Sequence, residues 1–291
     1  MQITTENLTY VYSPKNKSLA VKALDNVSLA INSGDFFGII GHTGSGKSTF
    51  VQHINGLIKV QKNSGKITVG DFDLTDKKCN FKALRSKVGM VFQYPEHQLF
   101  AETVESDVEF GLKNFFPQMD EKQRKQKVKK AIELVGLDYL KVKDKSPFEL
   151  SGGQKRRVAI AGVIVSEPEI LILDEPAAGL DPEGKREFIT LLKSLHGKSV
   201  KTIVIVSHDM DLVAENCNRV AVFSHGVLYA QGTPKQVFER KEDLIGLGLD
   251  IPLTAYLTDE LKKVGVKIDS DLTQEGFINA VKDAVGGGKG L

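Results

Sequence analysis

Gly41-His42-Thr43-Gly44-Ser45-Gly46-Lys47-Ser48 follows directly on Phe36-Phe37-Gly38-Ile39-Ile40. The five residues in front are apolar without alternation, the pattern of a strand buried on both faces. Behind the octapeptide, Phe50, Val51, Ile54 and Leu57 recur at helical spacing, with Gly56 near the end. The octapeptide fits G-x-x-x-x-G-K-[ST] in full, in the strand–turn–helix context that gives the motif its meaning. Glycines let backbone N–H groups close around phosphate oxygens, and the helix start adds partial positive charge. Lys47 is placed to neutralise β and γ phosphates, and Ser48 to offer a hydroxyl to Mg²⁺. His42 reads as the filler of a variable loop position.

Outward from this loop, Val88–Phe92, Ile170–Leu173 and Thr202–Val206 are further candidates for buried strands. Asp181 and Pro182 read as N-cap and first residue of a helix. Phe188, Leu191, Leu192 and Leu195 form its apolar stripe, closed by Gly197. Alternating strands and helices predict an α/β fold with a mostly parallel sheet and right-handed crossovers. Ile3–Tyr12 and Ala23–Ile31 alternate more, as do hairpin-like pieces around Gly70-Asp71 and His225-Gly226, so an antiparallel β layer is expected beside the parallel core.

Glu169-Ile170-Leu171-Ile172-Leu173-Asp174-Glu175 sets two carboxylates at the carboxyl end of an apolar strand. Two unpaired acids there would cost several kcal/mol. Asp174 as a Mg²⁺ ligand through water, and Glu175 as the group that polarises an attacking water, supply the missing partners. With the glycine-rich loop, this predicts a phosphoryl-transfer NTPase. Leu150-Ser151-Gly152-Gly153-Gln154 then opens a further helix, a second anion-binding helix start in a chain that already has one. One nucleotide needs one such loop, so the second is expected to serve a nucleotide held by another subunit.

These motifs together resemble the ABC ATPase family, from Ile3 to about Ile245. The resemblance implies a Walker A loop at Gly41 to Ser48 with Thr49 following, a signature at Ser151, Gly152, Gly153 and Gln154, and a Walker B strand ending on Asp174 with catalytic Glu175. It also implies a glutamine at Gln93 that senses Mg²⁺ and the transporter domain, and a D-loop at Gly179-Leu180-Asp181. His208 corresponds to a switch histidine on the γ-phosphate. The adenine-stacking aromatic is assigned to Tyr12 rather than Tyr10, because Tyr12-Ser13-Pro14 resembles an aromatic–proline turn. ATP and Mg²⁺ are the implied ligands. Phe92-Gln93-Tyr94-Pro95-Glu96-His97-Gln98-Leu99-Phe100, Val104 to Gly111, and Asp174 to Pro182 narrow the resemblance to energy-coupling factor (ECF) transporter ATPases, at the second of the two A-type subunits. Such a subunit pairs with a second related ATPase, here expected as a heterodimer, under a membrane scaffold called the T component. A substrate-binding S component captures a vitamin or a metal ion. The implied location is peripheral, on the cytoplasmic face of the cell membrane.

The organisation expected is an ATP-binding domain over 1–245, a helical subdomain at about 94–166, and a C-terminal helical extension over 246–291. In the extension, Leu253, Tyr256, Leu257, Leu261 and Val264 form one stripe. Phe277, Val281 and Val285 form another after a cap at Thr273, with a disordered tail from Gly286. Two short amphipathic helices cannot bury their faces alone. They pack on their own domain or on a partner's equivalent, and the ECF resemblance favours a dimerisation role. Lys122, Arg124, Lys125, Lys127, Lys129 and Lys130 make a basic helix face read as solvated rather than as a lipid contact. Asp120 is its expected cap.

A net charge of +2 over 291 residues gives no reason to expect nucleic acid as a partner. Cys79 and Cys217 have no metal-like spacing and read as free thiols. No apolar run approaches the roughly 20 residues of a spanning helix. A chromosome-type ATPase would carry a long coiled coil between Lys47 and Ser151, a translation factor would carry two motif sets, and a small-molecule kinase would not need Ser151 to Gln154.

Overall fold

A computed structural model describes residues 1–13 and 19–286. Pro14 and the tail beyond residue 286 lie outside the described residues. The elements run β1 (Ile3–Tyr12), β2 (Val21–Ile31), β3 (Phe36–Ile40), α1 (Lys47–Ile54), β4 (Lys66–Val69), β5 (Phe72–Asp73), α2 (Phe81–Lys87) and β6 (Val88–Val91). Four helices follow: α3 (Val104–Phe115), α4 (Glu121–Leu134), α5 (Tyr139–Val142) and α6 (Gly152–Ile164). Then come β7 (Ile170–Asp174), α7 (Pro182–Leu195), β8 (Thr202–Val206), α8 (Met210–Asn216), β9 (Arg219–Ser224) and β10 (Val227–Gly232). The chain ends in α9 (Pro234–Phe238), α10 (Lys241–Gly246), α11 (Leu253–Lys263) and α12 (Gln274–Gly286).

The main sheet has the order β10-β9-β3-β8-β7-β6, and a second sheet the order β2-β1-β4-β5. β6, β7, β8, β3 and β9 are mutually parallel, whereas the second sheet is antiparallel throughout. β3, β7 and β8 are buried along their whole length. Their side chains still alternate between two cores. Phe36, Ile40, Leu171, Leu173, Ile203 and Ile205 face a core that also takes α3, α4, α6 and α7. Phe37, Ile39, Ile170, Ile172, Val204 and Val206 face a core shared with α1 and the antiparallel sheet. A continuous apolar run therefore serves two layers at once, as parallel strands must.

The hairpin at His225-Gly226 departs from the sequence expectation. It joins β9 to β10, and β9 is parallel to β3, so the hairpin forms the edge of the main sheet rather than part of the antiparallel layer. A second departure is Leu57. Helix α1 stops at Ile54, and Leu57 sits beyond it, exposed. Asp181 caps α7 through Gly184 N–H at 2.7 Å with Pro182 in the first turn, and Asp120 caps α4. On α4 the cations Arg124, Lys125, Lys127, Lys129 and Lys130 each meet a carboxylate. Thr273 accepts from Gly276 N–H and starts α12. Helix α11 buries Thr254 and Ala255, while Leu253, Tyr256, Leu257 and Val264 on its apolar stripe stay exposed.

Candidate functional site

The site lies where β3, β7 and β8 end side by side. Loops at the carboxyl ends of parallel strands carry no ladder partners, so their backbone and side chains are free for a ligand. Gly46 stands before α1 with φ +102. A Cβ there would collide with the Ala23 carbonyl oxygen, so only glycine fits. The β9–β10 turn braces the loop from outside: Gly226 N–H donates to the Ser45 carbonyl at 3.0 Å, and the Gly226 carbonyl accepts from Asp25 N–H at 2.8 Å.

Lys47 is buried, and its Nζ donates to the Gly41 carbonyl at 2.7 Å and the His42 carbonyl at 2.9 Å. Burial holds its ammonium below the usual lysine value, only partly offset by the Glu175 and Asp174 carboxylates. Ser48 Oγ donates to Asp174 Oδ1 at 3.2 Å, bringing together the ends of two elements 126 residues apart in sequence. Asp174 is itself buried; that burial raises its carboxyl, opposed by the Ser48 hydroxyl and by Lys47. His42 turns its Nδ1 to the Thr43 carbonyl and packs 4.8 Å from the His225 ring, in keeping with a loop-filling role.

Glu175 has φ +49, unusual for a non-glycine residue, and its N–H donates to the Val206 carbonyl at 3.0 Å. This turn carries the carboxylate off the end of β7 towards the next strand. There His208 Nδ1 meets Glu175 Oε2 at 2.7 Å. The imidazole is 73% exposed and the carboxylate 18%, so the histidine covers the acid from the open side. Asp209 follows, capping α8 and pairing with Lys185 of α7 at 2.8 Å.

Tyr12 places its hydroxyl 3.2 Å from Thr49 Oγ1 and leaves its ring partly exposed. Tyr10 instead packs edge-on between Tyr12 and His53. Gln93 is exposed just beyond β6. Ser151 caps α6 in a reciprocal box with Gln154; Ser151, Gly152 and Gly153 are exposed, and added side chains at the two glycines would meet nothing. Asp181 is exposed as well.

In the loop after Gln93, Leu99 is buried. The exposed aromatics are Tyr94, Phe100 and Phe110, the last two edge-to-face at 4.8 Å. Asp107 is likewise internal, accepting from Phe100 and Ala101 N–H groups, each at 2.9 Å. Sequence reasoning missed Arg156 and Glu96. Two adjacent arginines, Arg156 and Arg157, follow the glycines of α6, and nothing in their spacing tells which one turns inward.

The chain matches the ABC transporter family over residues 24–178. It is 50% identical to the energy-coupling factor transporter ATP-binding protein EcfA2 of Clostridium tetani over 272 residues, covering 94% of this chain and 93% of that one. The chain belongs to this family. The protein of the same name from Symbiobacterium thermophilum is 46% identical over 291 residues, 100% of this chain and 99% of the relative. Among solved structures, cbiO1 from Clostridium perfringens, part of the ABC transporter complex cbiONQ, superposes with TM-score 0.72 at 38% identity, covering 88% of this chain and 98% of that one. A dimeric post-hydrolysis state of the ATP-binding cassette MJ0796, bound to ADP and phosphate, superposes with TM-score 0.70 at 28% identity, covering 80% and 98%. This family member is thus an ATP-hydrolysing subunit of an ECF-type ABC transporter. No described helix is long and apolar enough to cross a membrane.

Proposed function

We propose that this chain hydrolyses Mg-ATP at a site that a second, related ATPase completes, and that hydrolysis drives a membrane importer for a vitamin or a metal ion. The carrying observation is the cluster of Lys47, Ser48, Asp174, Glu175 and His208, together with a separate, exposed Ser151–Gly153 helix start. In this reading Gly41 to Thr49 cradle the phosphates and Tyr12 stacks on the adenine. A buried carboxylate with a hydroxyl at 3.2 Å and a lysine nearby fits a divalent cation, whose charge offsets the burial of Asp174. A magnesium ion held by Ser48 and Asp174, with Gln93, would neutralise charge developing on the β and γ phosphates.

Glu175 acts as the base for the attacking water, and His208 orients that carboxylate and reaches the γ-phosphate. Ser151, Gly152, Gly153 and Gln154 serve the nucleotide of the partner, and Asp181 crosses towards the opposite site. Residues 94–166 form a helical subdomain on the 1–245 ATP-binding domain, and 246–291 an extension that pairs with the partner through its exposed stripe. The exposed aromatics Tyr94, Phe100 and Phe110 receive the membrane scaffold, the T component; the S component is reached only through it. The chain thereby sits peripherally on the cytoplasmic face of the cell membrane. The test is purification in mild detergent with identification of what comes along. A second ATPase and a membrane scaffold are expected; recovery with DNA or ribosomes instead would overturn the transport reading.

A further inference from the structure

Arg156 is a buried cation in the second turn of α6. Its Nε and Nη2 donate to the two carboxylate oxygens of Glu96, each at 3.3 Å. The same Nη2 donates to the Ala178 carbonyl at 3.2 Å, and Nη1 is buried without a hydrogen-bond partner among the described residues. One guanidinium therefore ties two other segments to its own helix. Glu96 lies in the 3₁₀ turn Pro95–Gln98 behind Gln93, Arg156 in the helix opened by Ser151, and Ala178 in the turn between Glu175 and Asp181. The Tyr94 ring edge also lies 3.7 Å from where a side chain at Gly179 would begin, so the first and third segments run close together.

We propose that Glu96 and Arg156 are positioning residues for hydrolysis: the pair fixes the turn carrying Glu175 and Asp181 against the Ser151 helix, and passes displacement of the loop after Gln93 to that turn. This rests on the reading of Glu175 as the base and of the loop after Gln93 as the docking surface. The physical ground is the cost of the arrangement. A buried arginine is retained with one donor unmet, where a packed apolar side chain would hold the three segments together with no orphaned group. What the guanidinium adds is a planar fork that fixes direction as well as distance, which lysine cannot reproduce.

The experiment uses the full chain in its assembled, ATP-hydrolysing complex. Arg156→Lys and Glu96→Gln are each expected to lower kcat about tenfold with KM for ATP within about twofold of wild type, since coupling residues act on the transition state rather than on ground-state binding. The double variant should be no slower than the worse single one, because both changes break the same link. Thermal unfolding midpoints are read alongside, and Glu96→Gln, at a partly exposed position, serves as the variant that keeps the fold. Unchanged kcat in a folded Glu96→Gln complex overturns the inference, as does a double variant whose losses multiply. A wild-type complex with no ATP hydrolysis would instead sink the functional reading, so the two failures are distinct.

Discussion

At the scale of single residues the site is a problem in placing like charges. Asp174 and Glu175 are adjacent in sequence, yet the positive φ of Glu175 separates their environments. One stays buried against Ser48 and Lys47, and the other emerges under His208. The two carboxylates can thereby take different roles, one electrostatic and one basic. Lys47 carries the opposite charge and is poised on two carbonyls rather than paired with either acid. Lys47→Ala should cost about 1.5–3 kcal/mol of ATP affinity, the loss of a charge-assisted contact, which isothermal titration can read. Unchanged affinity would remove Lys47 from the phosphate cradle. Glu175→Gln should keep that affinity and lower hydrolysis of the nucleotide bound to this chain by about 10²–10⁴-fold, measured as single-turnover phosphate release. That these residues come together was legible in the sequence, because each stands at a position fixed by its motif. Arg156 was not, because its partners, Glu96 and Ala178, come from segments 60 and 22 residues away. Only the packed structure joins them.

At the scale of elements, buried strands are legible because continuous apolar runs and the glycine after β3 leave few alternatives. The edge assignment of the His225-Gly226 hairpin was not legible, since alternation in β10 says only that one face is wet. The burial of Leu99 and Asp107 was not legible for a related reason. A loop residue is exposed by default until a neighbouring segment covers it, and here Asp107 holds the Phe100–Ala101 backbone inward. In the proposed reading the docking surface then rests on the exposed Tyr94, Phe100 and Phe110. Phe110→Asp should reduce recovery of the membrane scaffold about tenfold in detergent pull-downs, as loss of an aromatic anchor does; full recovery would move the surface elsewhere. The joint between α3 and α4 makes a separate case. Burial raises the Glu109 carboxyl, and Lys113 and Arg124 more than reverse this, holding it below its ordinary 4.5. A depressed carboxylate stabilises fully above 4.5 and loses that contribution as pH falls through its folded value. The stability gap between wild type and Glu109→Gln, from urea unfolding, should therefore shrink as pH drops below 4.5. A gap constant across that range would contradict the assignment.

At the scale of the whole molecule, two features remain without partners among the described residues. Ser151, Gly152 and Gly153 present a helix start to solvent, and the stripe of α11 stays exposed beside its own domain. Under the proposed function a composite site accounts for the first and a paired extension for the second. In that reading ATP would act as the adhesive between the phosphate loop of one subunit and the Ser151 helix of the other. The most direct measurement is the mass of the Glu175→Gln chain by mass photometry, with and without Mg-ATP, alone and mixed with a related ATPase. A two-chain species that forms on adding Mg-ATP, prefers the mixed pair, and is lost on Ser151→Arg with ATP binding to this chain intact is the predicted result. A Glu175→Gln chain that binds ATP yet stays a single chain in every mixture would contradict the shared site.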